Sequence, residues 1–287
     1  MIIFSGTQFA QNREAALKVK VQNLVAHGHQ PRIAAILFDE DKGSQLYTRK
    51  KKEAAARVGI KYDDYHFSFT DDVTKVIAKI KSLNVDQEIT GIIIQKPAKA
   101  VWESVTGKTD FADWWHALVL EINPHKDVDG LHPQTLEHIK TGDWEKAGCV
   151  MPATAKAVLL ILEEAWHTVS THKIIILGKS DILGQPLYYE LKNHQHDVEM
   201  IGSAQLKQRQ EQGIGLTDAD AIISATGRPN LITGDLVKEG VIVVDVGEPQ
   251  PDVDESVKNK AAFLTPVPGG VGPVTIISLL ENSLELA

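Results

Sequence analysis

The first half of the chain alternates between two apolar patterns, which predict helices and strands in turn. Apolar positions recur at helical spacing from Ala10 to Ala26, and Gly28 and Pro31 then end that helix. Ser44 is predicted to open a second helix, which stops at Gly59. The continuous apolar runs of strand length are Ile33 to Phe38, Tyr65 to Phe69 and Ile89 to Ile94. Strands that alternate with helices predict a mostly parallel sheet.

The second half repeats this alternation with shorter strands. Its apolar strands are Ile174 to Leu177, Val198 to Ile201, Ala221 to Ser224 and Val241 to Asp245. Each of them ends in small or polar residues, and the ligands of open α/β sheets bind at the carboxyl ends of strands. This half therefore predicts a Rossmann-type domain. A helix from Pro152 to about His167 precedes it, so the residues near 150 are the expected hinge.

Two segments have a less regular pattern. Between Trp102 and Leu120, a polar stretch at Gly107 interrupts the apolar residues, which predicts a loop followed by a helix. Near the end of the chain, a loop rich in glycine and proline precedes a helix predicted from Val274 to Leu284.

Length and composition favour a two-domain α/β protein that acts on small molecules. The 287 residues are enough for about two domains, which would flank a cleft. A net charge of -8 disfavours a nucleic-acid partner. The apolar runs are far shorter than the roughly 20 residues that cross a bilayer, so no membrane partner is expected. A single cysteine, Cys149, excludes an internal disulfide and a cysteine cluster for zinc. The first residues lack a basic leading segment, so we expect a cytoplasmic protein.

Tyr47 and Lys51 are candidates for chemistry in the second predicted helix. They are four residues apart and therefore share a helix face. A lysine beside a phenol can serve as a proton donor and acceptor. The alternative is a solvated basic face, because Arg49 to Lys52 form a run of positive charge.

Two polar features follow the strand that ends near Ile94. Gln95 closes that strand with a side-chain amide that could bond an ammonium or a substrate. Further on, Asp127 and Asp129 lie two residues apart in a turn-like segment. One of them could accept paired hydrogen bonds from an aminopyrimidine-like ring, cap the next helix, or bind a metal.

Glycine-rich loops lie at two places in the second half. Gly178 follows a strand, and Gly184 and Pro186 open the next helix, as in a phosphate-binding loop, although a plain strand-to-helix turn has the same pattern. The segment from Thr265 to Pro273 mixes three prolines with three glycines, which predicts a close-approach loop, either structural or ligand-binding.

In this order, four segments resemble the bifunctional methylenetetrahydrofolate dehydrogenase/cyclohydrolase family. The segments are Ser44-x-x-Tyr47-x-x-x-Lys51, Lys126 to Gly130, Gly178-x-Ser180-x-x-x-Gly184-x-Pro186, and Thr265 to Thr275. The resemblance spans nearly the whole chain. It implies oxidation of 5,10-methylenetetrahydrofolate with NADP or NAD, followed by hydrolysis to 10-formyltetrahydrofolate. It also implies a homodimer.

The resemblance further implies a role for each matching residue. Lys51 would be the acid/base of the hydrolysis, Gln95 would bond it, Tyr47 would pack on the folate, and Asp129 would bind the pteridine. The loop Pro268, Gly269 and Gly270 would also contact substrate. The cofactor residues would be Gly178, Lys179, Ser180, Gly184, Ser203, Thr226, Gly227, Gly272 and Thr275. No metal is expected. Residues 1–149 with 275–287 would form the folate-binding catalytic domain, and residues 150–274 the NAD(P)-binding domain.

The chain departs from the family pattern at several positions. Lys96 to Lys99 replace a Leu-Pro-Leu-like stretch after Gln95, and an insertion before Lys126 contains Trp102, Trp114 and Trp115. Lys179 stands where the family usually has arginine, and lysine meets a phosphate as a point charge without arginine's fork. A dehydrogenase without the hydrolase activity, or a noncatalytic protein that binds folate or dinucleotide, is therefore an alternative.

Overall fold

The computed structural model describes residues 1–167 and 173–287, and two parallel sheets organise these residues. The strands are β1 (Ile2–Ile3), β2 (Arg32–Phe38), β3 (Lys61–Phe67), β4 (Gly91–Ile94), β5 (Lys173–Leu177), β6 (Asp197–Ile201), β7 (Ala221–Ser224), β8 (Ile242–Asp245) and β9 (Phe263–Leu264). The smaller sheet has the order β3-β2-β4 and the larger one β1-β9-β8-β7-β5-β6, with every pair parallel. The predicted α/β class is confirmed.

Helices connect the strands of both sheets. They are α1 (Gly6–Ala26), α2 (Lys42–Val58), α3 (Val73–Val85), α4 (Lys99–Thr106), α5 (Phe111–Val119), α6 (Pro133–Thr141), α7 (Ala153–Trp166), α8 (Gly184–Asn193), α9 (Ser203–Glu211) and α10 (Val271–Glu285). Single 3-10 turns lie at Pro124–Lys126, Gly234–Leu236 and Glu255–Asn259. No helix in the described part of the chain has both the length and the apolar character needed to cross a bilayer.

One compact unit contains the smaller sheet. This three-stranded unit comprises Asn12–Thr135, Trp144–Val150 and Leu279–Ala287. Its central strand, β2, is buried from Ile33 to Phe38 because it pairs with a neighbour on each side and both of its faces are covered. One face of the sheet packs against a core rich in aromatic side chains, including Phe38, Phe69, Trp102, Phe111 and Trp115.

The other compact unit contains the larger sheet. This six-stranded unit comprises Met1–Gln11, Leu136–Asp143 and Met151–Ser278. Strands β5, β7 and β8 are almost entirely buried, which explains their uninterrupted apolar sequences. The chain passes from β6 across β5 to β7, so the strand order reverses at β5. Open α/β sheets bind ligands at the carboxyl ends of the strands at such a reversal.

Several predicted element bounds are wrong. The structure has a helix, α4, where the sequence predicts a loop after Trp102, because Gly107 (φ +69°) caps that helix and the apolar side of the helix is buried. Strand β3 begins at Lys61 rather than Tyr65. It is an edge strand, and the charged residues in its first half interrupt the apolar pattern from which a strand is predicted. Helix α10 begins at Val271 rather than Val274, and Pro273 is tolerated in its first turn.

Two very short strands at one side of the larger sheet are also not predicted. Strands β1 and β9 are two residues long and pair with each other, Ile2 with Phe263 and Ile3 with Leu264. A run of two residues has no period to detect. Helix α1 likewise starts at Gly6, before the periodic stretch that begins at Ala10.

We predict that Trp102→Ala destabilises the protein strongly. Trp102 is 1% exposed and contacts the rings of Phe111 and Trp114, so truncation leaves a cavity. The expected loss in unfolding free energy, measured by urea denaturation, is about 3–5 kcal/mol. Val105→Ala is the matched control on the same helix, since Val105 is 40% exposed and should change stability by less than about 0.5 kcal/mol. Equal losses in the two variants would contradict the assignment of Trp102 to the core.

Candidate active site

Helix α2 turns one lysine of its basic run into the protein. Lys51 is 3% exposed, whereas Arg49, Lys50 and Lys52 are exposed. Lys51 shares the buried side of the helix with Thr48 and with the alanines Ala54 and Ala55, at spacings of three and four residues. The basic run is therefore a solvated face at three positions and a buried cation at the fourth.

The buried ammonium has two polar partners and an aromatic neighbour. Lys51 Nζ donates to Gln95 Oε1 at 3.1 Å and lies 3.4 Å from Asp129 Oδ2. The same nitrogen is 5.7 Å from the centroid of the Tyr47 ring. A buried charge needs such compensation because its loss of hydration costs several kcal/mol. The structure thus brings together Lys51, Gln95, Asp129 and Tyr47.

The two aspartates of the turn after Lys126 have different environments. Asp127 is fully buried, and its carboxylate accepts hydrogen bonds from the backbone N–H groups of Gly130 (3.0 Å) and His132 (2.6 Å). Burial raises the pKa of the Asp127 carboxyl to about 7, even though these N–H groups favour its charged form. The side chain of Asp129 is 19% exposed and meets Lys51. Asp127 therefore stabilises the turn through its backbone, and the side chain of Asp129 points from the turn to Lys51.

Asp41 is a buried residue that the sequence analysis did not single out. Its carboxylate accepts from Ser44 N (3.1 Å), Ser44 Oγ (2.8 Å) and Ala98 N (2.7 Å). It therefore caps α2 and fastens that helix to the segment that follows Gln95. Burial alone would raise the pKa of the Asp41 carboxyl, but the hydrogen bonds from Ala98 and Ser44 hold it below its ordinary value. An aspartate three residues before Ser44 was the available signal for this cap.

In the six-stranded unit, two glycines permit a tight turn between β5 and α8. Gly178 has φ +118°, and a Cβ atom there would lie 2.7 Å from the carbonyl oxygen of Ala225. A Cβ atom at Gly184 would lie 2.1 Å from the carbonyl oxygen of Gly178. Gly184 is the first residue of α8, and the positive end of the helix dipole at this point favours an anion. This turn lies where the strand order reverses, and Ser180 is within it.

Lys179 reaches toward the carboxyl end of the neighbouring strand β6. Its side chain is exposed, and a Cβ atom at Gly202 would lie 3.7 Å from Lys179 Cε. The next residue, Ser203, is the first of α9. The exposed positive charge of Lys179 and the start of α9 thus lie on the same side of the turn between β5 and α8.

A buried carboxylate network fixes the loop after β7. Asp252 Oδ2 accepts from Ser224 Oγ (2.7 Å), Thr226 N (2.7 Å) and Thr226 Oγ1 (2.9 Å). Asp245 in turn accepts from the backbone N–H groups of Asp252 (3.2 Å) and Gly247 (2.8 Å). Burial raises the pKa of the Asp245 carboxyl. Sequence reasoning missed both aspartates as supports of Thr226 and of the adjacent Gly227.

The proline-glycine loop before α10 is packed as closely as its composition suggested. A Cβ atom at Gly270 would lie 2.5 Å from the carbonyl oxygen of Pro266. A Cβ atom at Gly6 would lie 1.8 Å from the carbonyl oxygen of Gly270, so the loop packs directly on the start of α1. In this loop Pro268 is exposed and Gly269 is half-buried, while Gly272 and Thr275 lie in the first turns of α10.

The described residues contain no group of three or more His, Cys, Asp or Glu side chains arranged to hold a metal ion. The polar groups identified above instead form a lysine-centred group in the three-stranded unit and a set of loops at the carboxyl ends of strands in the six-stranded unit.

Comparison with known proteins matches both halves of the chain. Residues 4–129 match the tetrahydrofolate dehydrogenase/cyclohydrolase catalytic domain, and residues 152–287 match the NAD(P)-binding domain of the same family. The bifunctional protein FolD of Staphylococcus aureus (strain JH9) is 33% identical over an alignment of 291 positions, which covers 98% of this chain and 95% of that protein.

Solved structures agree with these matches. The FolD methylenetetrahydrofolate dehydrogenase/cyclohydrolase of Campylobacter jejuni superposes with a TM-score of 0.86 at 32% identity, covering 100% of this chain and 98% of that one. The Trypanosoma brucei dehydrogenase-cyclohydrolase, solved with NADP and an inhibitor, has a TM-score of 0.86 at 28% identity, covering 99% of this chain and 96% of that one.

We predict a pH-dependent loss of stability in Asp41→Asn. The amide replaces an oxygen that accepts hydrogen bonds, so at pH 7 the unfolding free energy should fall by about 1–3 kcal/mol. The pKa of Asp41 is lowered by folding, so its contribution is complete above the unfolded-state pKa and is lost as the pH falls through the folded-state pKa. Urea denaturation should therefore show the difference from wild type shrinking as the pH falls below about 4, the pKa of an ordinary aspartate.

Asp72→Asn is the matched control for this experiment. Asp72 caps α3 from an exposed position and accepts from Thr74 N at 2.9 Å. Asparagine caps helices about as well as aspartate, so this variant should lose little stability. If Asp41→Asn behaved in the same way, Asp41 would be an ordinary cap and not a tie between α2 and the segment after β4.

Proposed function

The chain belongs to the tetrahydrofolate dehydrogenase/cyclohydrolase family, and from this premise we propose that Lys51 performs the proton transfers of the hydrolytic step. The protein oxidises 5,10-methylenetetrahydrofolate to 5,10-methenyltetrahydrofolate, with NADP (or NAD) as hydride acceptor, and hydrolyses that product to 10-formyltetrahydrofolate. The assignment of each step to particular residues is our proposal.

The oxidation step needs positioning more than it needs an acid or a base. Bound NADP supplies the hydride acceptor. The lone pairs of the two folate nitrogens stabilise the positive charge that develops as hydride leaves the methylene carbon. The protein must therefore hold the substrate in a reactive orientation, which by itself can lower the barrier by several kcal/mol. We assign this task to Tyr47, Asp129 and the loop of Pro268, Gly269 and Gly270.

The hydrolysis step needs a group that moves protons. Water adds to the methenyl carbon and loses one proton, which leaves a hydroxyl on that carbon. N5 then gains a proton, the bond from the carbon to N5 breaks, and the hydroxyl proton passes to bulk water as the formyl C=O forms, so that one proton is released overall. Lys51 can accept the first proton and return the second. The observation that carries this assignment is its geometry: one buried lysine from a basic run lies 3.1 Å from Gln95 and 3.4 Å from Asp129. Gln95 directs the nitrogen, and Asp129 balances its charge.

The loops of the six-stranded unit fit a dinucleotide. The turn from Gly178 to Gly184 leads into the start of α8, where the helix dipole favours a pyrophosphate. We assign Gly178, Ser180 and Gly184 to the phosphates, and Lys179 and Ser203 to the 2'-phosphate of NADP. The nicotinamide end would be held by Thr226, Gly227, Gly272 and Thr275.

We also propose the organisation in which this chemistry takes place. Residues 1–149 with 275–287 would act as the folate-binding catalytic domain, and residues 150–274 as the cofactor-binding domain. The chain would work as a cytoplasmic homodimer. The family resemblance supports the dimer, and a sequence with only one cysteine, Cys149, is suited to a reducing compartment. Light scattering of the purified protein tests the dimer.

We predict that Lys51→Met impairs hydrolysis far more than oxidation. With methylenetetrahydrofolate and NADP, the cyclohydrolase rate should fall by at least about 100-fold, because general acid-base catalysis contributes factors of that size. The methenyl species should then accumulate while NADPH still forms, and absorbance can follow the two separately. Lys50→Met is the matched control, since Lys50 is the exposed neighbour and both activities should persist.

Two outcomes would contradict these assignments. Normal hydrolysis by Lys51→Met would exclude Lys51 as the proton carrier. Accumulation of the methenyl species by the wild-type protein would indicate a dehydrogenase alone. If the wild-type protein formed neither NADPH nor NADH, the noncatalytic alternative would be favoured.

We predict that Lys179→Ala weakens the use of NADP and leaves NAD unaffected. Only NADP carries a 2'-phosphate, so the KM for NADP should rise, by about fivefold for an exposed charge pair, and the KM for NAD should stay unchanged. Lys207→Ala is the control, because Lys207 is an exposed lysine on α9 that pairs with Glu211. Equal changes in KM for the two dinucleotides would refute the contact with the 2'-phosphate.

A further inference from the structure

Two of the chain's departures from its family contact each other. Lys96 replaces an apolar residue directly after Gln95, and Trp115 belongs to the insertion before Lys126. In the structure, Lys96 Nζ lies 5.4 Å from the centroid of the Trp115 ring. A lysine at this distance from an indole is attracted to it and loses part of its rotational freedom. The substitution and the insertion therefore form one local feature.

The backbone at Lys96 and directly after it is held in place. The Lys96 carbonyl oxygen accepts from Ser44 Oγ at 3.2 Å, and Ala98 N donates to Asp41 at 2.7 Å. Trp115 is itself buried in the aromatic core of the three-stranded unit. Both ends of the contact are thus anchored, and the Lys96 ammonium has a defined place over Trp115.

The charge of Lys96 differs from that of its lysine neighbours in having no carboxylate partner. Among the residues that the structure describes, no Asp or Glu oxygen lies within 4.0 Å of Lys96 Nζ, whereas Lys99 pairs with Glu103 at 3.5 Å and Lys52 pairs with Asp64. Lys96 is half-buried, so water compensates its charge only in part. A positioned, unpaired cation of this kind suits an anionic group on a ligand.

We propose that Lys96, held by Trp115, binds a carboxylate of the substrate's glutamyl tail. This proposal rests on the proposed function, because Gln95, which directly precedes Lys96 in the chain, belongs to the group that is there assigned to the folate. Tetrahydrofolate carries its carboxylates only on the glutamyl tail. The family's apolar residue at this position has no charge to offer them. Lys96 therefore determines substrate specificity in this chain and takes no part in the chemical step.

The test compares substrates that differ only in the tail. The dehydrogenase reaction is measured with methylenetetrahydrofolate, with its polyglutamate form, and with methylenetetrahydropteroate, which has no glutamate. The variants are Lys96→Leu, which restores an apolar residue, and Lys96→Arg, which keeps the charge. Lys99→Leu is the matched control, since Lys99 is exposed and already paired.

For Lys96→Leu, we expect KM to rise about fivefold for both glutamylated substrates, with kcat unchanged. The KM for methylenetetrahydropteroate should stay at the wild-type value, Lys96→Arg should restore affinity, and Lys99→Leu should behave as wild type. An equal rise in KM for all three substrates would overturn the proposal, because Lys96 would then act through the fold. An unchanged KM for the glutamylated substrates would overturn it as well.

A binding measurement separates this proposal from the proposed function. Tryptophan fluorescence can follow binding of tetrahydrofolate and of tetrahydropteroate, which requires no turnover. If the wild-type protein were inactive but Lys96→Leu lost only its preference for tetrahydrofolate, the proposed function would fail and the role of Lys96 would hold. Equal binding of tetrahydrofolate by wild type and Lys96→Leu would overturn the role of Lys96 whether or not the protein turned over.

Discussion

The ammonium of Lys51 is buried almost completely, and a charge in that position must be compensated by the protein. Its partners are distant in sequence: Gln95 lies 44 positions away and Asp129 lies 78 positions away. Three segments must therefore meet: one face of α2, the end of β4, and the turn that Asp127 shapes. Asp41 secures the first two segments to each other. The local fold of the three-stranded unit thus holds this one nitrogen between two polar partners.

The six-stranded unit depends on a different constraint, which is close packing of backbone segments at the carboxyl ends of its strands. Gly178 and Gly184 leave no room for a side chain, and the loop around Gly270 packs against the start of α1. A polar network supports this arrangement, because Asp252 holds the loop that contains Thr226. Hydride transfer depends on the relative placement of two ligands more than on an acid or a base, so rigid, closely packed loops are what this half of the chemistry needs.

The departures from the family pattern leave this machinery intact and alter what surrounds it. Helices α4 and α5 contribute Trp102 and Trp115 to the aromatic core, and Trp115 contacts Lys96. Lys179 keeps a positive charge at the turn between β5 and α8 in a less directional form than arginine. We propose that both changes affect how strongly charged parts of the ligands are held. The group of Lys51, Gln95 and Asp129, to which we assign the proton transfers, has no such change.

The sequence by itself determined the α/β class, the long buried strands and the end of α2 at Gly59, since apolar runs and capping glycines are local signals. Its resemblance to a known family named the residues around Lys51. Only the tertiary structure decided which lysine of the basic run is buried, that Asp127 shapes the turn while Asp129 meets Lys51, and that Asp41 and Asp252 are supports. It also decided the two-residue pairing of β1 with β9. These features depend on partners far away in the chain, and no local period or spacing records such contacts.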